Sequence, residues 1–274
     1  MPRTRLPGPR PRKALGQHFL RDTGVLQDIA DAVRVPEGGI VLEIGPGTGQ
    51  LTEFLLKKGY TVIGLEIEDR MIDHLERRFR GNTQLRVVPG DARLFEPSDV
   101  IPAGVPFTVV GNLPYFAANP IIRHILESSP QPTEMVGMVQ RAVAKEIAAR
   151  EGDWSLLTIS VRVYAEPELL FDVAPEAFDP PPAVVSSVVR MTLRAEPLVP
   201  AERNEEFFDF VSRVFRTPRK QIHNSLSRGI WLPPDGARTA LDKAGIAAMR
   251  RPETLNIAEW IALMDACIEV RASE

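Results

Sequence analysis

One cysteine, Cys267, is found in 274 residues, which excludes an intrachain disulfide and any zinc site built on thiolates. The four histidines (His18, His74, His124 and His223) are scattered without ligand spacing, so no metal centre is expected. The chain also lacks an apolar run of about 18 residues, the minimum for a membrane-spanning helix. Nothing in it reads as a signal peptide. A cytoplasmic protein without membrane contact is the expectation, and its 44% apolar content suffices for one large core and a small appendage.

Acids are missing where the bases cluster. The net charge is −3, yet residues 1–21 carry Arg3, Arg5, Arg10, Arg12, Lys13 and Arg21 with no acid, and residues 213–228 carry Arg213, Arg216, Arg219, Lys220 and Arg228 with none. Such blocks are either solvated faces or contacts for a polyanion. Four prolines among the first 12 residues exclude a helix or a core strand there, so residues 1–21 begin as a flexible basic arm.

What is present is organised around residues 40–52. An apolar run surrounding Glu43 stops at Gly45, Gly47 and Gly49 and resumes at Leu51, Phe54, Leu55 and Leu56, the pattern of a buried strand, a tight loop and a helix. In open α/β sheets ligands bind at the carboxyl ends of strands, where glycine admits positive φ and lets bare backbone approach them. The spacing is not the G-x-G-x-x-G of a dinucleotide loop, because Gln50 stands after the third glycine. A glycine-rich turn that merely packs a helix on a sheet is the plainer alternative.

From there strand and helix alternate as in a doubly wound sheet. Asp22 is placed to cap a helix with Val25, Leu26, Ile29, Ala30 and Val33 on one face. Residues 61–65 form a second strand ending in Glu66, where a carboxylate can accept both ribose hydroxyls of a nucleoside. The third strand, 85–88, closes at Pro89-Gly90-Asp91; Asp91 could accept from an exocyclic amine, although Gly-Asp taken singly is more often a turn.

The fourth strand, 107–111, runs into Asn112-Leu113-Pro114-Tyr115. The Asn112 side-chain oxygen and the Leu113 carbonyl can accept the two hydrogens of an aryl amine, Pro114 fixes the loop, and Tyr115 offers a stacking face. Helices are expected near 118–127, 141–150 and 154–164, the last despite its β-branched residues, and strands at 134–139, 168–173 and 184–193. Residues 174–182 hold four prolines, a stiff link that would present Phe178 to a base opposite Tyr115 if it returns to the rim, a surface-packed phenylalanine being the plainer alternative.

Beyond Pro197 and Pro200 only helices are expected, over 202–215, 218–227, 236–243 and 256–270, with the domain boundary near residue 195. Helical spacing would place Arg216, Arg219 and Lys220 on one face if a helix continued across Pro218, but proline more often starts a new helix.

Taken together, Lys13-x-Leu15-Gly16-Gln17-His18-Phe19-Leu20, Glu43-Ile44-Gly45-Pro46-Gly47-x-Gly49, Glu66, Gly90-Asp91-Ala92, Asn112-Leu113-Pro114-Tyr115, Phe178-x-Pro180-x-Pro182-x-Val184-x-Ser186 and Arg219-Lys220 resemble, in order, the motifs of the ribosomal RNA adenine dimethyltransferases. The resemblance spans nearly the whole chain and is to the small-subunit branch in particular. It implies an α/β, Rossmann-like class I S-adenosylmethionine-dependent methyltransferase with a seven-stranded sheet whose last strand is reversed, plus a small all-α C-terminal domain. Residues 1–21 would be the arm and a cofactor-covering motif, 22–195 the methyltransferase domain, and 196–274 an RNA-docking domain.

The same resemblance implies dimethylation of the exocyclic amines of two adjacent adenines in a hairpin near the 3′ end of small-subunit ribosomal RNA, performed by a monomer on an immature subunit. His18 and Leu20 would cover S-adenosylmethionine, Gly45 and Gly47 would approach its methionine part, Glu66 would bind ribose and Asp91 the adenine amine. Asn112 would lie beside the reacting centre, with Leu113, Pro114, Tyr115 and Phe178 around the target base. Phosphates are expected on Arg10, Arg12 and Lys13 and on Arg216, Arg219 and Lys220. His18 stands where many relatives carry Asn, and Phe116-Ala117-Ala118 where polar and β-branched residues are common.

Three other readings compete. A large-subunit adenine methylase shares the catalytic motifs, but Arg219-Lys220 and the length of the helical region favour the small-subunit branch. A non-catalytic RNA-binding assembly factor would not need Asn112 and Tyr115 intact. A DNA adenine methyltransferase is the third.

Overall fold

Apolar runs too short for helices and closed by turn residues become the strands of one sheet. The computed structural model describes residue 9 and residues 18–273. In chain order the elements are β1 (Phe19–Leu20), α1 (Thr23–Ala32), β2 (Ile40–Ile44), α2 (Gln50–Lys57), β3 (Thr61–Glu66), α3 (Asp69–Arg78), β4 (Leu85–Pro89), β5 (Phe107–Asn112), α4 (Ala118–Glu127), β6 (Glu134–Gln140) and α5 (Arg141–Ile147). After α6 (Leu156–Tyr164) come β7 (Ala165–Val173), β8 (Phe178–Asp179) and β9 (Ser186–Leu193), followed by α7 (Asn204–Val214), α8 (Ile222–Gly229), α9 (Gly236–Lys243) and α10 (Ile257–Ala272).

Seven strands form a sheet in the order β4-β3-β2-β5-β6-β9-β7. Pairing is parallel from β4 to β6 and antiparallel where β9 meets β6, so the last strand is reversed as the resemblance implied. The middle strands are covered on both faces: Val41, Leu42, Val109 and Val110 are fully buried, and each such side chain stabilises the fold by about 1.5–3 kcal/mol. Register then positions the chemistry. Ile44 lies opposite Leu65 and Gly111, and Glu66 opposite Pro89, so β2, β3, β4 and β5 end together and bring Gly45, Glu66, Asp91 and Asn112 to one rim.

The Asp22 carboxylate accepts from the Gly24 and Val25 N–H groups at 2.8 and 3.0 Å and starts α1, which buries Leu26, Ile29 and Ala30. Just before it, β1 pairs antiparallel with β8, placing Leu20 opposite Phe178 and Phe19 opposite Asp179. The Arg21 and Asp22 N–H groups both donate to the Ala177 carbonyl, at 2.7 and 3.1 Å. Residues 18–22 therefore lie as a strap on the proline-rich link.

The chain divides into two compact units: one takes the chain up to Lys145 with Glu166–Leu193, the other takes Glu146–Ala165 with the chain from Arg194 onward. Instead of a single boundary near residue 195, the chain enters the second unit twice. In that unit α6 forms because Ser155 and Thr158 make a reciprocal capping box, and it packs against α7 and α10. The helix expected over 218–227 begins only at Ile222; α7 ends at Val214, and Arg216, Arg219 and Lys220 sit exposed in the loop between them, not on a shared helical face. Proline at 218 and the Thr217 carbonyl, which accepts from the Lys220 N–H at 3.0 Å, keep this stretch in turns. Arg10, Arg12 and Lys13 lie outside the described residues. No helix among the described residues is long and apolar enough to cross a membrane.

Candidate cofactor and target-base site

The rim formed by β2, β3 and β5 opens into a cavity of about 300 Å³ lined by His18, Phe19, Gly45, Gly47, Glu66, Ile67, Glu68, Arg93 and the run Asn112 to Phe116. Its floor is bare backbone at Gly45, where φ is +64° and a Cβ would meet no atom of the described residues within 4 Å, because it would project into open space. At Gly49 a Cβ would instead come within 2.7 Å of the Phe79 ring. The first glycine leaves room for a ligand and the third for the core.

Glu66 braces this floor. Its carboxylate accepts the Gly47 N–H at 3.0 Å, the Ile67 N–H at 2.9 Å and the Glu68 N–H at 3.0 Å. A carboxylate offers about four lone-pair sites, so a further hydroxyl can still be accepted. Burial raises the Glu66 pKa against the pull of these three N–H groups. The site's chemistry thus fits a nucleoside whose ribose reaches Glu66.

Asp91 reaches the rim but is already engaged. Arg93 grips its two oxygens through Nε at 3.0 and 3.1 Å and through Nη2 at 2.5 Å, and this pairing holds the carboxyl below the usual range. It is Arg93 that lines the cavity. An adenine amine directed at Asp91 would share a carboxylate with a guanidinium.

Around the Asn112 tetrapeptide the strap completes the wall. The Asn112 Nδ2 donates to the His18 carbonyl at 3.1 Å. Since that carbonyl can only accept, the amide is fixed with Oδ1 free to accept from another group. The His18 ring is held by the Pro180 carbonyl at 2.8 Å and stacks on Tyr115 with ring centroids 6.0 Å apart, while the Tyr115 hydroxyl bonds to Ser186 at 2.7 Å. His18 thus meets the site through both its backbone and its ring.

Beside the main cavity lies a recess of about 40 Å³ lined by Leu20, Glu43, Gly45, Gln50 and Asn112 among others. Glu43 accepts from the Thr52 hydroxyl at 2.6 Å, and burial pushes its pKa up to about 7, with Glu66 adding to the rise. Gln50 Oε1 accepts from the Thr48 hydroxyl, which leaves the buried Nε2 without a partner among the described residues. An unpaired buried donor and a carboxylate in one recess suit the charged end of an amino acid.

Phe178 is not where the sequence reading put it. Its ring is 1% exposed and packs in the core with Leu20, Leu26 and Ile29, and it does not line the cavity. The stiff link delivers it to the underside of the strap, because an apolar ring opposite Leu20 is more stable buried than facing the rim. Conversely, Gln50, Ile67 and Arg93 line the site without having been assigned a part in it, and Phe116, noted in the sequence only as a departure from the family's usual residues, lines it too. Each follows a recognised motif residue by one or two positions, and that adjacency was the available signal.

The family model described as "Ribosomal RNA adenine dimethylase" matches residues 9–269. A protein of Dehalococcoides mccartyi called "Ribosomal RNA small subunit methyltransferase A" is 39% identical over 258 residues, covering 94% of this chain and 88% of that protein. A protein of Pseudomonas aeruginosa with the same name is 36% identical over 263 residues, covering 95% and 96%. Among solved structures, a dimethyladenosine transferase from Plasmodium falciparum aligns with a TM-score of 0.75 at 26% identity, over 90% of this chain and 96% of that one. The 23S rRNA methyltransferase ErmE aligns with a TM-score of 0.71 at 29% identity, over 91% and 99%.

Proposed function

The chain belongs to the ribosomal RNA adenine dimethylase family, and on that premise we propose how its residues carry out the reaction and on which RNA. The activity is S-adenosylmethionine-dependent dimethylation of ribosomal RNA adenine. The observation that carries the residue assignment is the fixed Asn112 amide: its Oδ1 sits in the wall of a cavity whose floor is the bare Gly45 backbone.

S-adenosylmethionine supplies a methyl group on an electrophilic sulfonium when bound. Gly45 and Gly47 would give it room, Glu66 would take a ribose hydroxyl, and the His18–Leu20 strap would cover it. Asn112 Oδ1 and the Leu113 carbonyl accept the hydrogens of the adenine amine and turn its nitrogen lone pair out of the ring. Tyr115, held by Ser186, backs the base. Because a methyl sulfonium would release a neutral thioether as its S–CH3 bond breaks, no strong base would be needed and the amine proton would pass to water.

The target we assign is a pair of adjacent adenines in a hairpin near the 3′ end of small-subunit RNA, met by a monomer on an immature subunit in the cytoplasm. The exposed Arg216, Arg219 and Lys220 loop contributes phosphate contacts. Primer extension on ribosomal RNA from cells lacking the gene tests this, because dimethylated adenine blocks the primer. The stop should vanish from small-subunit RNA and return with the wild-type gene but not with Asn112→Ala. A stop lost from large-subunit RNA instead would move the target to the substrate class named for ErmE.

A further inference from the structure

A flipped base needs a face to stack on, and the described aromatic side chains lining the cavity are His18, Phe19, Tyr115 and Phe116. Three of them already have partners, and of these Tyr115 keeps one ring face for the base. Phe19 is only 9% exposed and carries the Arg21 guanidinium 5.7 Å from its ring centroid. Tyr115 is stacked on the His18 ring and pinned at its hydroxyl by Ser186, which occupies one face of each ring of that pair. Phe178 lies in the core. Phe116 differs from all of these: it lines the cavity, is 66% exposed and makes no ring contact within the described residues.

Its placement is set by backbone. The Pro114 carbonyl accepts from the Ala117 N–H at 2.9 Å, closing a turn with Tyr115 and Phe116 at its two corners. Ala117 and Ala118 behind the turn are buried, at 4% and 1% exposure, which seats the turn against the start of α4. Two aromatic residues at consecutive corners, one braced and one free, form the lip of the cavity beside the Asn112 amide. Leaving a phenyl ring in water costs transfer free energy that a stacked base would recover.

We infer that Phe116 is a substrate-binding residue, whose exposed ring stacks on the unpaired purine that enters the cavity. This rests on the placement of the reacting amine at Asn112 proposed above. The partner's chemistry is that of an extruded adenine of single-stranded or loop RNA, the one ligand the known reaction must bring to this lip. Phe116 takes no part in the methyl transfer itself.

The test is steady-state kinetics of the full-length protein on small ribosomal subunits from a strain lacking the gene, with cofactor affinity measured in parallel by calorimetry without RNA. Phe116→Ala should raise KM for the subunits roughly 5- to 150-fold, the range for removal of one base stack, with unchanged S-adenosylmethionine affinity. Phe116→Trp should restore KM to near wild type, which a steric or folding defect would not do. An unchanged KM in Phe116→Ala, or a loss confined to cofactor affinity, overturns the inference, as does failure of Phe116→Trp to rescue. If instead the wild-type protein does not methylate these subunits, the fault lies with the target assignment and not with Phe116.

Discussion

The Asn112 amide nitrogen donates to the His18 carbonyl, so a residue of the strap sets which atom of Asn112 faces the reacting amine. Asn112→Ala should lower turnover by about 10²–10³-fold, as for removal of one preorganised transition-state hydrogen bond, and RNA affinity far less. Asn112→Asp should do no better, since a carboxylate cannot donate to His18. Single-turnover methylation checks this; a near-normal rate in Asn112→Ala would rule the role out.

Gly45 and Gly49 both have positive φ, at +64° and +80°, but their surroundings separate them. Gly45→Ala places a methyl group in the cavity and should lower S-adenosylmethionine affinity by tenfold or more, on the order of 1.4 kcal/mol, with a stability loss limited to the roughly 1–2 kcal/mol that alanine pays at positive φ. Gly49→Ala carries the same backbone cost, drives a methyl group into Phe79 and Leu75 as well, and should lower stability by about 1–3 kcal/mol more than Gly45→Ala does, with little direct effect on the cofactor. Calorimetry should show the larger loss for Gly45→Ala and thermal unfolding the larger loss for Gly49→Ala; the same rank order in both would sink the distinction.

Glu43 gives a pH dependence whose sign follows from burial. Its folded pKa, about 7, lies above the ordinary 4.5, so folding favours the protonated form. The stabilisation is full below about pH 4.5 and is lost as pH rises towards 7. Glu43→Gln removes this titration, so the stability difference should move in the variant's favour across that window, on the order of 3 kcal/mol in total. Urea unfolding of both proteins without cofactor at several pH values tests it, and a flat difference would count against a buried, protonated Glu43.

Arg219 and Lys220 are exposed and carry no acid in their block. Replacing both with Gln should weaken binding to small subunits and flatten its dependence on salt by roughly one log-log unit for each phosphate no longer neutralised. Cofactor affinity should stay the same. An unaltered slope would leave this loop as a solvated surface.

The parallel strands were readable because each is a short, almost wholly apolar run cut off by glycine, proline or a carboxylate, and the rim followed once Gly45, Glu66, Asp91 and Asn112 all fell at strand ends. The β1 with β8 pairing was not readable. Two residues on each side, separated by most of the chain, leave no local periodicity, so Phe178 looked like a presented ring when it is the strap's support. The Arg93 grip on Asp91 was hidden for a similar reason: adjacency in sequence does not say which way a long side chain folds back. The loop at 215–221 was half readable, since Pro218 marked the interruption but not its length.

The double entry of the chain into its helical unit governs how the protein can be made and inherited. A ribosome completes α6 before any of α7 to α10 exists, and it makes β7 to β9 only after α6 has left the sheet behind. Each unit waits during synthesis for a piece that lies beyond part of the other. For the same reason the helical unit cannot be exchanged between relatives by a single crossover: cutting at residue 194 leaves α6 without the α7 and α10 surfaces it packs on. A working chimaera needs two junctions, one near residue 146 and one near residue 194, with α6 and the C-terminal helices taken from the same parent.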